Sequence, residues 1–267
     1  MTRYSFSDLV GIMARLRAPG GCPWDREQTH ESILSCLIEE SYEFIDAVER
    51  RDIPNMREEL GDLLLQVVFH AQMASEVGES GEARHFTMED VIQGICEKLI
   101  RRHPHVFGDK QVENADEVLV RWDEIKKAEK GVRAEEHGAL GELPKHLPAL
   151  LKALKMQKRA AKTGFDWPDW KGPLAKVAEE AQEFAIEAAK GDAEAAEREL
   201  GDLLFSAVNL GRFFKIDPER ALAQANAKFM ARFKAMEKLA EAKGQALQGM
   251  TLTEMDSLWE EVKTLSA

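Results

Sequence analysis

Residues 39–68 and 179–208 of this chain are two copies of one segment, and that duplication constrains the fold more tightly than any single motif. At a spacing of 140, Glu39, Glu40, Glu43, Phe44, Asp52, Glu59, Leu60, Gly61, Asp62, Leu63, Leu64 and Val68 each meet an identical residue without a gap. Leucine and valine are common enough to coincide by chance, but a set of acids held in one register is not. Whatever one copy folds into, the other must fold into as well.

Each copy is expected to be a helical hairpin. Ile33, Leu34, Leu37, Ile38, Ile45 and Val48 recur near the helical period, and Leu60, Leu63, Leu64, Val67, Val68 and Ala71 do the same further on. The turn between them is Arg50-Arg51-Asp52-Ile53-Pro54-Asn55, matched by Lys190-Gly191-Asp192 in the second copy. Ala, Leu, Glu, Lys and Arg dominate the composition, and these residues lose least on entering a helix. The fold class expected is therefore all-α, with two tandem repeated helical-bundle domains. The apolar share of 44% over 267 residues suffices for two ordinary cores. Gly131, Gly138, Gly141, Pro144 and Pro148 place a linker at 131–148, between an N-terminal domain at 1–130 and a C-terminal domain at 149–267. Gly78 to Arg84 reads as a surface loop inserted in the first copy.

The acids in each copy follow one pattern, EExxE, then fifteen residues, then ExxD. Residues three or four apart share a helix face, so Glu40 with Glu43 and Glu59 with Asp62 each set two carboxylates side by side. The same holds for Glu180 with Glu183 and Glu199 with Asp202. Antiparallel packing of the two helices brings the pairs together. Carboxylates gathered at one spot repel unless a cation neutralises them, and an all-oxygen donor set suits Mg²⁺ or Mn²⁺ better than zinc. A solvated acidic face is the plain alternative. Against it, the five acids persist in register while neighbours change freely, Arg57 and Glu58 against Glu197 and Arg198. Gly61 and Gly201 lie inside the second helix of each copy at a cost of about 1 kcal/mol relative to alanine, and are expected to mark close backbone approach.

A second pattern follows each acid set: Lys98-x-x-x-Arg102 with Trp122, and Lys228-x-x-x-Arg232 with Trp259. A basic helix face can hold phosphate oxygens and a tryptophan can stack on a base. Surface charge with a tryptophan anchoring a helix fits the same residues, and both readings stay open. Cys22 and His30 flank a single segment without further metal ligands, so Asp25 and Thr29 are expected to be turn or cap residues leading into the acidic helix. His103 and His105, beside Pro104, are expected to be structural.

The net charge of −12 argues against a nucleic-acid polymer as partner. An acidic protein that handles phosphate needs a divalent ion between its carboxylates and the ligand. Cys22, Cys36 and Cys96 are scattered and odd in number, which fits a reducing cytoplasm. The N-terminus lacks the apolar run of a signal peptide, and no stretch approaches the ~18 apolar residues of a membrane span.

Taken together, the chain resembles the MazG family of nucleoside triphosphate pyrophosphohydrolases, in its two-domain bacterial form. The residues that carry the resemblance are the doubled acid set, Cys22-Pro23-Trp24-Asp25 with Gln28-Thr29-His30, Arg101 to Phe107, Gly164-Phe165-Asp166-Trp167, and Leu258-Trp259-Glu260-Glu261-Val262. It implies hydrolysis between the α- and β-phosphates of a nucleoside triphosphate, giving monophosphate and pyrophosphate; a broad base range is expected because no obvious base-reading polar motif stands out in the sequence. Mg²⁺, or Mn²⁺ as a substitute, would be held by Glu180, Glu183, Glu199 and Asp202, the catalytic set of the C-terminal copy. Glu40, Glu43, Glu59 and Asp62 stand in the equivalent places of the N-terminal copy, which is expected to be a weaker site, a regulator or a dimerisation partner. Lys176, Glu179, Lys228, Arg232 and Trp259 would contact the nucleotide. A homodimer with four-helix-bundle cores is expected, because two helices alone bury too little. Two alternatives compete. A di-iron carboxylate bundle requires Glu-x-x-His on its helices, whereas each copy offers Asp where histidine should be. A catalytically silent helical scaffold has no need of intact acid sets in both copies.

Overall fold

The structure, a computed structural model, describes residues 3–76, 85–108 and 138–265, together with 114, 117, 118, 121, 122, 125 and 129. The expected loop at 78–84 and the first part of the expected linker, 131–137, lie outside the described residues. Among those described, every regular element is a helix, and no helix is long and apolar enough to cross a membrane. The protein is all-α. It divides into two compact units, Met1–Lys126 and Lys127–Ala267.

In the first unit α1 (Phe6–Arg17) is followed by the short α2 (Pro23–Glu27), α3 (Leu34–Arg50), α4 (Ile53–Ser75), α5 (Met88–Arg102) and the single turn α6 (Pro104–Phe107). Capping boxes start α1 and α5: Ser5 with Asp8, and Thr87 with Asp90, satisfy amide groups that the first turn leaves unpaired. Helix α4 is central, with α1, α3 and α5 packed on it. Met13, Ile33, Val68, Phe69, Ala71 and Met88 form the core between them. Arg17 locks the loop ahead of α3 in place. Its Nε and Nη2 donate to Glu76 at 2.7 and 2.8 Å, and its Nη1 donates to the carbonyls of Asp25 and Gln28.

The second unit contains α7 (Ala149–Ala161), α8 (Lys171–Lys190), α9 (Ala193–Phe213), α10 (Pro218–Ala242) and α11 (Leu252–Leu265). Helix α8 packs on α9, α7 on both α9 and α10, and α10 on α11. Met236, Ala240, Leu258 and Val262 close the last pair. Asp166, in the Gly-Phe-Asp-Trp segment, is gripped by Arg212 and accepts from the Trp167 amide at 2.8 Å. The hydrogen bonds from Arg212 hold its carboxyl below the usual range against partial burial. Arg159 donates to the carbonyls of Leu140 and Glu142, so the described end of the linker region is fastened to α7.

The hairpin turn is built alike in both copies. Arg51 at φ 56° and Gly191 at φ 74° end the first helix in the left-handed region. Asp52 and Asp192 then cap the second helix, accepting from Asn55 and Ala195 at 3.2 and 3.0 Å. One of the repeated acids is thus explained by helix geometry rather than by chemistry.

The apolar stripes depart from expectation. Ile33, Val68 and Ala71 are buried, but Leu34, Ile38, Ile45, Val48, Leu60, Leu64 and Val67 are exposed. Leu174, Leu200 and Leu204 are exposed at the same register in the second copy. The physical reason is that an amphipathic helix carries an apolar arc wider than one neighbour covers, and a hairpin supplies only one neighbour across the pair. Gly61 and Gly201 lie beside these leucines with no atom within 4 Å of where a Cβ would stand. Among the described residues, therefore, nothing outside the helix's own backbone approaches them closely.

Candidate active site

Packing of α8 on α9 brings Glu180, Glu199 and Asp202 together, each with a carboxylate oxygen within 4.8 Å of the others. Glu180 is only 4% exposed. Glu183 faces the same group from outside it: partial loss of hydration, and then the charges of Glu180 and Glu199, push its carboxyl above the usual range. The N-terminal copy gathers Glu40, Glu43 and Glu59 within the same 4.8 Å, with Asp62 outside that cluster. Desolvation first, then Asp62, Glu43, Glu59 and Glu39, raise the pKa of Glu40. Desolvation followed by Glu43 and Asp62 does the same to Glu59, which is 7% exposed. In each set the fourth acid, Glu183 or Asp62, thus interacts with members of the closest three, and those three differ between copies.

Both donor sets fit a hard divalent ion. The donors are oxygens only, and Mg–O bonds of about 2.0–2.1 Å place opposite ligands roughly 4 Å apart, close to the spread of each cluster. The repulsion recorded in the raised carboxyls is what such an ion relieves. A pH dependence follows. With these pKa values raised on folding, the folded state binds protons more tightly than the unfolded chain, so the stabilisation is present below the ordinary carboxylate range and is lost as pH rises through the raised values. In chelator, these carboxyls are expected to contribute a fall in the thermal midpoint from mildly acidic to neutral pH, opposed by His70, whose lowered pKa stabilises as pH rises, and saturating Mg²⁺ should remove the carboxyl contribution alone. Scanning calorimetry across pH with and without Mg²⁺ checks this; an unchanged slope would contradict it.

Lys176 lies within the C-terminal cluster, its Nζ 2.6 Å from Glu180 and 3.0 Å from Glu179. Hydrogen bonds to Glu180 first and Glu179 second hold its proton more tightly than an ordinary lysine's. The residue at the same register in the first copy is Cys36.

Lys228 and Arg232 lie on α10, and Trp259 on α11. Neither cation makes an ion pair with the described residues. The Trp259 ring lies 5.4 Å from Phe229, which is 5.9 Å from Phe233. Because α10 packs along α7 and α11, this basic and aromatic patch and the carboxylates are carried by different helix pairs. In the first unit Lys98 is exposed on α5, and Trp122 meets His103 edge-on at 5.0 Å. His103 bonds the Leu99 carbonyl at 2.7 Å, a structural role. Sequence reasoning missed one contact altogether. His30 stacks on His70 with ring centres 5.1 Å apart and Nδ1 atoms 2.8 Å apart, fastening the loop before α3 to α4. Desolvation first and then His30 lower the pKa of His70.

Residues 28–107 and 171–236, each range holding one carboxylate set, match the MazG nucleotide pyrophosphohydrolase domain. The chain is 48% identical over 258 residues to the nucleoside triphosphate pyrophosphohydrolase/pyrophosphatase MazG of Thermotoga maritima, covering 97% of this chain and 95% of that one. It is 46% identical to the nucleoside triphosphate pyrophosphohydrolase of Escherichia coli, over 96% of this chain and 95% of the other. The uncharacterized protein YabN of Bacillus subtilis is 48% identical over 97% of this chain, which spans 52% of that longer protein. With the domain matched in both copies and relatives aligned nearly end to end, the chain belongs to the MazG nucleotide pyrophosphohydrolase family.

Proposed function

We propose that this family member, which hydrolyses nucleoside triphosphates to monophosphate and pyrophosphate, does so in its C-terminal copy, with Mg²⁺ held by Glu180, Glu183, Glu199 and Asp202. The observation that carries this reading is the convergence of Glu180, Glu199 and Asp202 within 4.8 Å at a site where Glu180 is nearly buried. When bound, the ion lowers the pKa of a water and neutralises charge on the phosphates, and Mn²⁺ would serve in its place. Lys176 and Glu179 border the cluster where the polyphosphate enters. Lys228 and Arg232, with no ion pair among the described residues, offer charge-assisted hydrogen bonds to phosphate oxygens. Trp259 and its aromatic neighbours supply a stacking face that accepts any base, which favours a broad nucleotide range.

The uncovered leucines favour a homodimer in which four-helix-bundle cores form between copies of the chain, bringing the basic and aromatic patch of one subunit within reach of the carboxylates of the other. In this reading residues 1–130 are a weaker or regulatory domain, 131–148 a linker and 149–267 the catalytic domain. The acidic charge disfavours a nucleic-acid polymer, and free Cys22, Cys36 and Cys96 suit the cytoplasm. Product analysis by ion-exchange chromatography tests the reaction over a panel of nucleoside triphosphates. Equimolar monophosphate and pyrophosphate with Mg²⁺, and neither with chelator, is the result expected. Diphosphate with inorganic phosphate would contradict it.

A further inference from the structure

The two carboxylate clusters hold the same acids but not the same cation. In the C-terminal copy the Lys176 ammonium is 2.6 Å from Glu180, whose side chain is only 6% exposed. In the N-terminal copy Cys36 stands at that register, and the charges acting on Glu40 and Glu59 are all acids. An ammonium and a divalent ion compete for the same carboxylate lone pairs and repel each other at such distances. An ion entering at Glu180 is therefore opposed by Lys176 on the same carboxylate, and the lysine moves aside at least cost when another anion receives it. The triphosphate is that anion.

We infer that Lys176 is the resident counter-cation of the C-terminal site, so that a divalent ion loads there together with nucleotide phosphate, whereas the N-terminal site loads its ion alone. This rests on the proposed reading that Glu180, Glu199 and Asp202 hold the ion. Between turnovers the ammonium offsets part of the negative charge at the C-terminal carboxylates. It also makes metal affinity there a function of nucleotide concentration.

Mn²⁺ titrations of the full-length protein, with the free ion followed by electron paramagnetic resonance, test it. Without nucleotide, the wild type is expected to show one class of site, removed by Glu59→Gln and kept by Glu199→Gln. Adding an α,β-methylene nucleoside triphosphate analogue should add a second class, which Glu199→Gln removes. Lys176→Met, with Lys176→Gln as a second variant, should bring that class in without nucleotide and at least about tenfold tighter than in wild type. Cys36→Lys should weaken the first class by a similar factor, and circular dichroism checks that each variant keeps its helices. If both Lys176 variants bind Mn²⁺ as wild type does, or if the wild type fills both classes equally without nucleotide, the counter-cation role is overturned while the metal site stands. If Glu199→Gln changes nothing even with the analogue, both fall.

Discussion

Glu180→Gln is expected to lower kcat/KM by roughly 10³-fold, the scale of losing one charged group from a preorganised electrostatic site. Glu180 is the most buried member of the C-terminal cluster, with an oxygen within 4.8 Å of those of Glu199 and Asp202. Glutamine keeps the volume and one oxygen but removes the negative charge that neutralises the ion. The helix should survive, because α8 packs on α9 through its length and an uncharged side chain relieves repulsion among the remaining acids. Steady-state kinetics with circular dichroism in parallel check both halves. Glu40→Gln, at the matching place in the other copy, should cost far less. Equal losses from the two variants would assign turnover to both copies.

In the proposed homodimer, Leu204→Glu should convert the protein to monomers and abolish most activity. Leu204 is 48% exposed and lies one helical turn from Leu200, at 43%. Among the described residues each is only partly covered, and Gly201 between them leaves room for a close approach. Fully burying a leucine stabilises by about 1.5–3 kcal/mol; with Leu204 already half covered, about half of that is gained at each of two copies, so losing it raises the dimer Kd by roughly 10–10²-fold. A charge forced into that interface adds to the loss. Sedimentation velocity over a concentration series reads the Kd directly. A variant that remains dimeric, or a monomer with full activity, would contradict the shared site.

How much of this was legible in the sequence depends on whether the determinant is local. The helical hairpins follow from periodicity and from Asp52 and Asp192, whose capping role is fixed within four residues. The meeting of Glu180 with Glu199 and Asp202 follows from spacing, because residues three apart share a face and a hairpin is antiparallel. What covers Leu60, Leu64, Leu200 and Leu204 was not legible, since periodicity marks an apolar arc without naming its neighbour. Periodicity alone gives both stripes to the hairpin, whereas four of the six residues of the first and three of the six of the second are exposed. The place of Lys228, Arg232 and Trp259 relative to the acids depends on packing of α10 that no local signal encodes. The contrast between Lys176 and Cys36 was present in the register, but a comparison built on identities passes over positions that differ. The His30 and His70 pair joins residues forty apart with no shared pattern.

The measurement that bears most directly on the central claim is anomalous diffraction from crystals grown with Mn²⁺ and an α,β-methylene nucleoside triphosphate analogue. An anomalous peak bonded to Glu180, Glu199 and Asp202, with analogue phosphate oxygens completing its coordination, is the result predicted. Manganese and analogue lying together at another set of residues, with the C-terminal carboxylates still paired to Lys176, would contradict it.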